Sequence, residues 1–455
     1  MAEADAIASA VLEEFSKLPA KRKPSVRDNG LHEWVPMAGI VAKGCARPNG
    51  LKCVALATGM KCLPASKLPQ ANGVAIHDWH AEILAIRAIN RFVLEECKRL
   101  ALQGGGASQS EFIYRRTTAQ HEDQEQQQTT DVWQGQPFAW REDVSLHMYC
   151  SEAPCGDASM ELIMAAQDDA SPWEIPSPAP GDLPTETPNP ALVPTDDTTA
   201  LPGRAYFSQL GIVRRKPSRG DAPPSLSKSC SDKLALKQVT SLLSSLTSTL
   251  VSPANAYLSS VVLPESQYSA TACKRCFSAS AADGGRMAPL LDASVSAELE
   301  GTGYVFREFK VETTGLEFAF SRRVILPSGS PSTDTTEAKK LIASNLATSW
   351  TLNGPRDGEG LVGGVLQGRK QFDLRGASLL SRRKMWALAR EVCSVMWSEG
   401  DVEIERSLGS TDLVYDEIKN GSTLLEGRRR AKEETKRVAL KGWMRNTGDG
   451  GFKLE

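Results

Sequence analysis

The sequence predicts an α/β fold: a mixed sheet with helices on one side, followed by a helical C-terminal half, in a single domain spanning 1–455. Three observations predict it. Two strand-like runs, 34–42 and 51–59, lead into an amphipathic helix at 79–101; a second strand and helix succession recurs at 143–150 and 155–167; and helical spacing dominates after 231.

Residues 3–18 repeat apolar positions at helical spacing. WVPMAGIVA (34–42) and LKCVALATG (51–59) read as strands joined by the turn-rich KGCARPNG, which begins the sheet. In 79–101, Ile83, Ile86, Ala88, Ile89 and Val93 supply an apolar stripe, and EECKRL adds charge toward the end. A polar insertion is expected over 101–142, where GGGASQS and the Gln/Glu-rich AQHEDQEQQQTT offer little to a core. DVSLHMYC (143–150) alternates like a strand and CGDASMELIMAAQ (155–167) follows as a helix. A Pro-rich, disordered insertion is expected at 168–203. Helices are then expected at 231–246, 378–397 and 411–443, with a strand at 256–264.

The composition, 41% hydrophobic and 24% charged, is that of a globular protein, and no apolar run approaches the ~18–20 residues of a membrane span. The N-terminus is acidic where a secretory leader is basic, so an intracellular protein is expected, nuclear or cytoplasmic. Ten irregularly spaced cysteines do not make a disulfide framework; they read as core thiols or metal ligands. The net charge of −2 argues against indiscriminate nucleic-acid binding, yet basic residues gather at 21–23, 214–219, 381–384 and 428–437.

His80-Ala81-Glu82 opens the 79–101 helix, and an imidazole ligand with a carboxylate two residues on suits a hydrolytic zinc site. Alone, H-x-E is weak, because an ordinary helix can carry both residues. Cys155 follows a proline at the start of a helix, where a thiolate is favoured. This approaches the H-x-E…P-C-x-x-C signature of zinc nucleobase deaminases, but Ala158 stands where its second cysteine belongs, so the third ligand must come from elsewhere, and Cys230 in SKSCSDKLAL is available. CKRC (273–276) has zinc-like spacing without a partner pair and reads as a helical coincidence; His32, His77 and His147 read as structural.

HAE, PCGD and a distant SCSDK together resemble the adenosine deaminase domain shared by adenosine deaminases acting on RNA and tRNA-specific adenosine deaminases. The resemblance runs from LPAKRKP and HEWVPMAGIVA through ATGMKC to GWMRN. It implies a cytidine-deaminase-like sheet, zinc held by His80, Cys155 and Cys230, and Glu82 shuttling a proton while water attacks C6 of adenine to give inosine. The implied substrate is tRNA, met at its anticodon stem-loop and modified at the adenosine 3′ of the anticodon, in alanine tRNA. The alternatives are an editor of double-stranded messenger RNA and an inactive RNA-binding scaffold; the presence of Glu82 argues against the scaffold. Because the pattern is under way at Trp34, no duplex-binding domain, which takes roughly 65–70 residues, is expected ahead of it.

The resemblance also implies an enclosed inositol hexakisphosphate, with Arg87, Lys233, Arg382, Tyr415, Lys419, Lys432 and Trp443 expected around it. Correspondence weakens after residue 420, where Arg428 and Lys432 sit. For RNA, Lys61 of ATGMKC is the expected phosphate contact, and RRKPSR, with Arg214, Arg215, Lys216 and Arg219, is the expected loop against the flanking nucleotides. No membrane and no protein partner is implied.

Overall fold

The computed structural model describes residues 2–44, 50–104, 109–116, 132–166, 201–202, 209–216, 222–326, 341–396, 404–410 and 412–454. Eight strands form the main sheet: β1 (Met37–Lys43), β2 (Leu51–Thr58), β3 (Ser145–Cys150), β4 (Leu258–Pro264), β5 (Lys310–Thr314), β6 (Ala347–Thr351), β7 (Glu359–Val362) and β8 (Val365–Leu366). Their order across the sheet is β5-β4-β3-β1-β2-β6-β7-β8. β3, β4 and β5 run parallel to one another, and the other pairings are antiparallel.

Both faces of the sheet centre are covered, which is why β1 and β2 read as nearly continuous apolar runs. On one face lies α1 (Glu3–Ser16), whose Ile7, Val11 and Phe15 pack on Met37, Val41, Leu56 and Tyr149. Each of these side chains contributes about 1.5–3 kcal/mol by leaving water. Gly39 makes the approach possible, since a Cβ there would stand 2.4 Å from Val11 Cγ1. On the other face α2 (Ala81–Leu102) sets Leu84, Ala85, Ile89 and Phe92 against Ala38, Ile40, Ala55 and Ala57. Helices α3 (Met160–Ala165), α4 (Cys230–Thr240), α5 (Ala270–Phe277), α6 (Arg382–Met396), α7 (Tyr415–Gly421) and α8 (Glu426–Val438) follow; α6 packs on α2 and α8 on α4.

The structure departs from the sequence reading in several places. The helix expected at 155–167 is a 3-10 turn, Asp157–Ser159, followed by the short α3. The helix expected at 231–246 stops at Thr240 because Ser241 takes a left-handed φ of +55°. The C-terminal half is not purely helical: β6 to β8 extend the sheet, and every residue of β6 is buried between β2 and β7. Of the expected polar insertion 101–142, the described residues 109–116 and 132–142 are packed: Ile113–Arg115, Phe138–Trp140 and Val251–Ser252 form a small sheet. Phe112 sits edge-on to Phe92 at 4.9 Å, so aromatic residues flanking the polar run draw it onto α2. The Pro-rich segment 168–203 lies outside the described residues except for Leu201–Pro202, which pairs with Arg214–Arg215.

Candidate active site

The end of β2 positions the start of α2. Gly59 (φ +148°) stands so close that a Cβ would lie 2.1 Å from the Trp79 carbonyl oxygen, and its own carbonyl accepts the Ala81 N–H at 2.9 Å. His80 is the N-cap of α2 and Glu82, 6% exposed, lies in its first turn. His80 Nδ1 is 2.9 Å from Asp78 Oδ1, which also accepts the His80 N–H at 3.1 Å. Burial would raise the Asp78 carboxyl, but the charges of Lys216 and Lys233 outweigh it and hold it well below the usual range. Asp78 is thus ionised and holds the Nδ1 proton of His80; against burial and the Lys216 charge, the Asp78 and Cys155 charges raise His80 to about 8, so Nε2 is the ring atom that would take a metal on giving up its own proton.

Two turns bring the cysteines to the same place. Gly156 (φ +107°) faces Ser229 so closely that a Cβ would stand 2.3 Å from Ser229 Oγ. Ser229 caps α4 by accepting the Asp232 N–H at 3.1 Å, which makes Cys230 the first helical residue. The Cys230 N–H points at Cys155 Sγ at 3.3 Å, and the Ser231 N–H donates to the Cys155 carbonyl at 3.0 Å. Cys230 Sγ in turn lies 3.2 Å from Glu82 Oε2 and 3.2 Å from Lys216 Nζ.

The protons divide unequally in this cluster. The hydrogen bond from Cys230 outweighs desolvation and, with the charges of Lys216 and His80, holds the Cys155 thiol well below its usual range. Burial, and then the Cys155 thiolate, push Cys230 up. The same two causes raise Glu82. Among the described residues no three His, Cys, Asp or Glu groups are gathered at metal-ligand spacing; the donors meet in pairs. Their chemistry, two thiols and an imidazole with one carboxylate beside them, fits a zinc ion with its fourth position open.

Lys216 is a correction to the sequence reading. Instead of facing nucleotides it is 4% exposed and spans Asp78 Oδ2 (2.8 Å) and Cys230 Sγ. Arg214 is also turned inward: it is 1% exposed, its N–H donates to Asp232 Oδ2 at 2.9 Å, and its guanidinium donates to the Gln209 carbonyl. Alternation along the strand explains this, since Arg214 and Lys216 share the inner side while Arg215 between them is less buried. Arg219 lies outside the described residues. Lys61 is partly buried and donates to Asn345 Oδ1. The sequence reading missed Asp78, although its place two residues before His80 in HDWHAE was a readable signal.

A cavity of about 520 Å³ opens beside this cluster, lined by ten lysines and arginines and, among the described residues, one carboxylate, Glu433. Of the expected polyanion contacts, Lys233, Arg382, Lys419, Lys432 and Trp443 are on its wall, as is Arg428. Arg87 and Tyr415 are not; Tyr415 stacks on Phe452 at 5.1 Å and receives the Arg382 guanidinium at 5.5 Å. Lys228, Lys237, Arg429, Lys436 and Arg445 complete the wall and were not anticipated. Burial, reinforced by neighbouring cations, lowers Lys419 to about 8 and Lys228 to about 7, and takes Lys432 and Lys237 well below the usual range. Lys233 joins the cavity to the cluster, donating to Asp78 and, at 2.7 Å, to Ser227 Oγ.

Known proteins are similar to this chain over most of its length. Residues 55–447 match the adenosine-deaminase (editase) domain. The chain is 33% identical over 395 residues to tRNA-specific adenosine deaminase 1 of Schizosaccharomyces pombe, covering 86% of each protein. It is 34% identical over 243 residues to the protein of the same name in Saccharomyces cerevisiae, covering 53% of each. It is 27% identical over 275 residues to a double-stranded RNA-specific editase of Drosophila melanogaster, covering 59% of this chain and 35% of that one. With its three motifs meeting at one site and the match running through most of its length, the chain belongs to the adenosine-deaminase (editase) domain family of enzymes.

Proposed function

We propose that this chain is an intracellular enzyme that hydrolyses adenosine to inosine in tRNA, at the adenosine immediately 3′ of the anticodon and in alanine tRNA. The observation that carries the chemistry is the meeting of Cys230 with both Cys155 and Glu82, at 3.3 and 3.2 Å, across three separate parts of the chain. The choice of tRNA is supported by the 33% identity to the Schizosaccharomyces pombe tRNA-specific deaminase.

His80, Cys155 and Cys230 would hold a zinc ion. When bound, zinc supplies a water nucleophile at neutral pH by lowering the water pKa to ~7. Glu82 takes one proton of the attacking water as oxygen bonds to C6 and passes it to ring N1; it then takes the second proton from the new C6 hydroxyl and delivers it to the amino group, so that the C6 carbonyl forms as the C6–N bond breaks and ammonia leaves. A buried carboxyl with a raised pKa suits a group that must hold a proton between these steps. Asp78 holds the His80 Nδ1 proton, and Lys216 keeps a positive charge between Asp78 and the Cys230 sulfur.

C6 of adenine is reachable only in an unstacked base, and an anticodon loop offers its bases without duplex opening. Lys61 of ATGMKC would contact a phosphate, together with Arg215, the least enclosed cation of residues 214–216. The wall of ten cations with, among the described residues, one carboxylate suits inositol hexakisphosphate: Lys233, Arg382, Arg429 and Lys436 have carboxylate partners, and the positive charge that remains in the cavity would be costly without an anion.

The test is a deamination assay with purified protein, intact alanine tRNA and a long perfect RNA duplex at equal salt, read as A-to-G changes in cDNA. Inosine should accumulate in the tRNA at the one position 3′ of the anticodon. Equal editing of the duplex would transfer the assignment to a messenger-RNA editor, and no inosine in either substrate would refute the reaction.

A further inference from the structure

CKRC, which joins none of the metal motifs in sequence, lies on α5 with Cys273 and Cys276 buried. Between those cysteines, Arg275 leaves the helix toward the PCGD turn. Its Nε donates to Asp157 Oδ2 at 2.9 Å, its Nη2 to the Asp157 carbonyl at 3.2 Å, and its guanidinium also grips the Glu161 carboxylate. Asp157 is completely buried, and its other oxygen accepts the Gly211 N–H at 2.9 Å.

Eleven residues further along, Arg286 does the same for the second turn. Its Nη1 donates to Asp232 Oδ1 at 2.6 Å, and its own side chain is 5% exposed. The other oxygen of Asp232 accepts Ser229 Oγ at 2.6 Å and the Arg214 N–H at 2.9 Å. Arg286 is itself held by the Cys276 carbonyl at 2.9 Å and Cys276 Sγ at 3.1 Å, and its N–H donates to the Arg275 carbonyl at 3.0 Å. The second cysteine of CKRC therefore has a place in the structure as an acceptor for Arg286.

We infer that Arg275 and Arg286 are positioning residues for the metal site: a two-armed clamp, joined through its own backbone, that fixes the turns carrying Cys155 and Cys230 relative to each other. Each arm ends on a carboxylate two residues beyond one of the cysteines, and the turns themselves touch through Ser231 Oγ on the Pro154 carbonyl at 2.9 Å. A guanidinium fork sets angle as well as distance, which an ammonium cannot. The segment 270–286 thus controls the separation of two sulfurs it never contacts. This rests on the zinc reading above.

The test uses Arg275→Lys and Arg286→Lys, which keep the charge and lose the fork, with Lys274→Ala as control, because Lys274 on the same helix is exposed and pairs with Asp283. Zinc affinity is measured by competition with a chromophoric chelator, and sulfur geometry by the thiolate charge-transfer and d–d absorption of the cobalt(II)-substituted proteins. The lysine variants should melt within a few degrees of wild type, bind zinc about 10–100-fold more weakly and give altered cobalt bands, while Lys274→Ala matches wild type. Wild-type affinity and cobalt spectra in folded lysine variants overturn the clamp, as does a loss of affinity no larger than the unfolded fraction explains. Should Arg286→Lys be insoluble, Asp232→Asn, which keeps an acceptor oxygen and removes the charge, takes the same readings. A wild-type protein that binds neither zinc nor cobalt refutes the metal reading instead, so the two failures are told apart.

Discussion

Replacing Lys419 by methionine tests the polyanion by the sign of its effect. Lys419 lines the cavity, and burial followed by Arg382 lowers it from 10.5 to about 8. At 1.36 kcal/mol per pH unit, holding this charge in an empty cavity costs about 3 kcal/mol. The unfolded chain would then bind more protons than the folded one between pH 8 and 10.5, so stability would rise with pH through that window. In the empty cavity Lys419→Met relieves repulsion, and the melting temperature rises. With an enclosed polyphosphate the sign reverses, because removing one partner of a buried ion pair costs about 3–5 kcal/mol. We expect Lys419→Met to melt below wild type at pH 7 by scanning fluorimetry, and wild-type stability to show no rise from pH 8 upward attributable to this group. The denatured wild-type protein should release a highly phosphorylated inositol, detectable by mass spectrometry. A variant melting at or above wild type, with no inositol phosphate released, refutes the reasoning.

Further consequences can be measured separately. Glu82→Gln should retain about one zinc per chain by atomic absorption while deamination falls by at least ~10²-fold, the usual contribution of a general acid/base group. Cys155→Ala and Cys230→Ala should lose metal and activity together; a zinc-replete Cys230→Ala protein would remove Cys230 from the ligand set. His77, whose Nε2 lies 2.6 Å from Asp449 Oδ2, is lowered to about 4 by burial and the Arg382 charge. The unfolded chain therefore binds the extra proton between about pH 6.5 and 4, and stability should fall as pH drops through that window, by about 3 kcal/mol in all; His77→Gln should flatten this slope in acid-denaturation curves. Arg214→Ala, at a 1% exposed position, should lower stability by about 3 kcal/mol and leave the salt dependence of tRNA binding unchanged, and a flattened salt slope in a fully stable variant would return Arg214 to the RNA surface.

Much of the sheet was legible because its signals are local. The runs 34–42 and 51–59 became Met37–Lys43 and Leu51–Thr58, the 79–101 stripe became Ala81–Leu102, and 256–264 became Leu258–Pro264. Periodicity and length suffice where a segment packs with the side chains it displays. The strands at 347–366 were not legible, since Ala347–Thr351 is a strand by virtue of pairing with β2 on one side and β7 on the other. The aromatic residues that anchor 109–116 and 132–142 were obscured by the polar run between them.

By itself the sequence determined the candidate residues of the site: His80, Glu82, Cys155 and Cys230 stand in short motifs whose glycines and caps act within a few residues of them. Only the tertiary structure decided where the cations point. RRK at 214–216 looks like a solvated basic run, yet pleating turns Arg214 and Lys216 inward, one to the Cys230 turn and the other to Asp78 and the thiol. Lys228, Lys237, Arg429, Lys436 and Arg445 are unremarkable in sequence and share one cavity because α4, α8 and the segments beside them fold around the same space. Arg275, on α5, and Arg286, in the turn that follows it, reach the Cys155 and Cys230 turns from a segment with no motif of its own in that chemistry. The physical reason is range: caps and pleats act over a few residues, whereas charge convergence is fixed only when distant segments pack and each buried cation must find an anion.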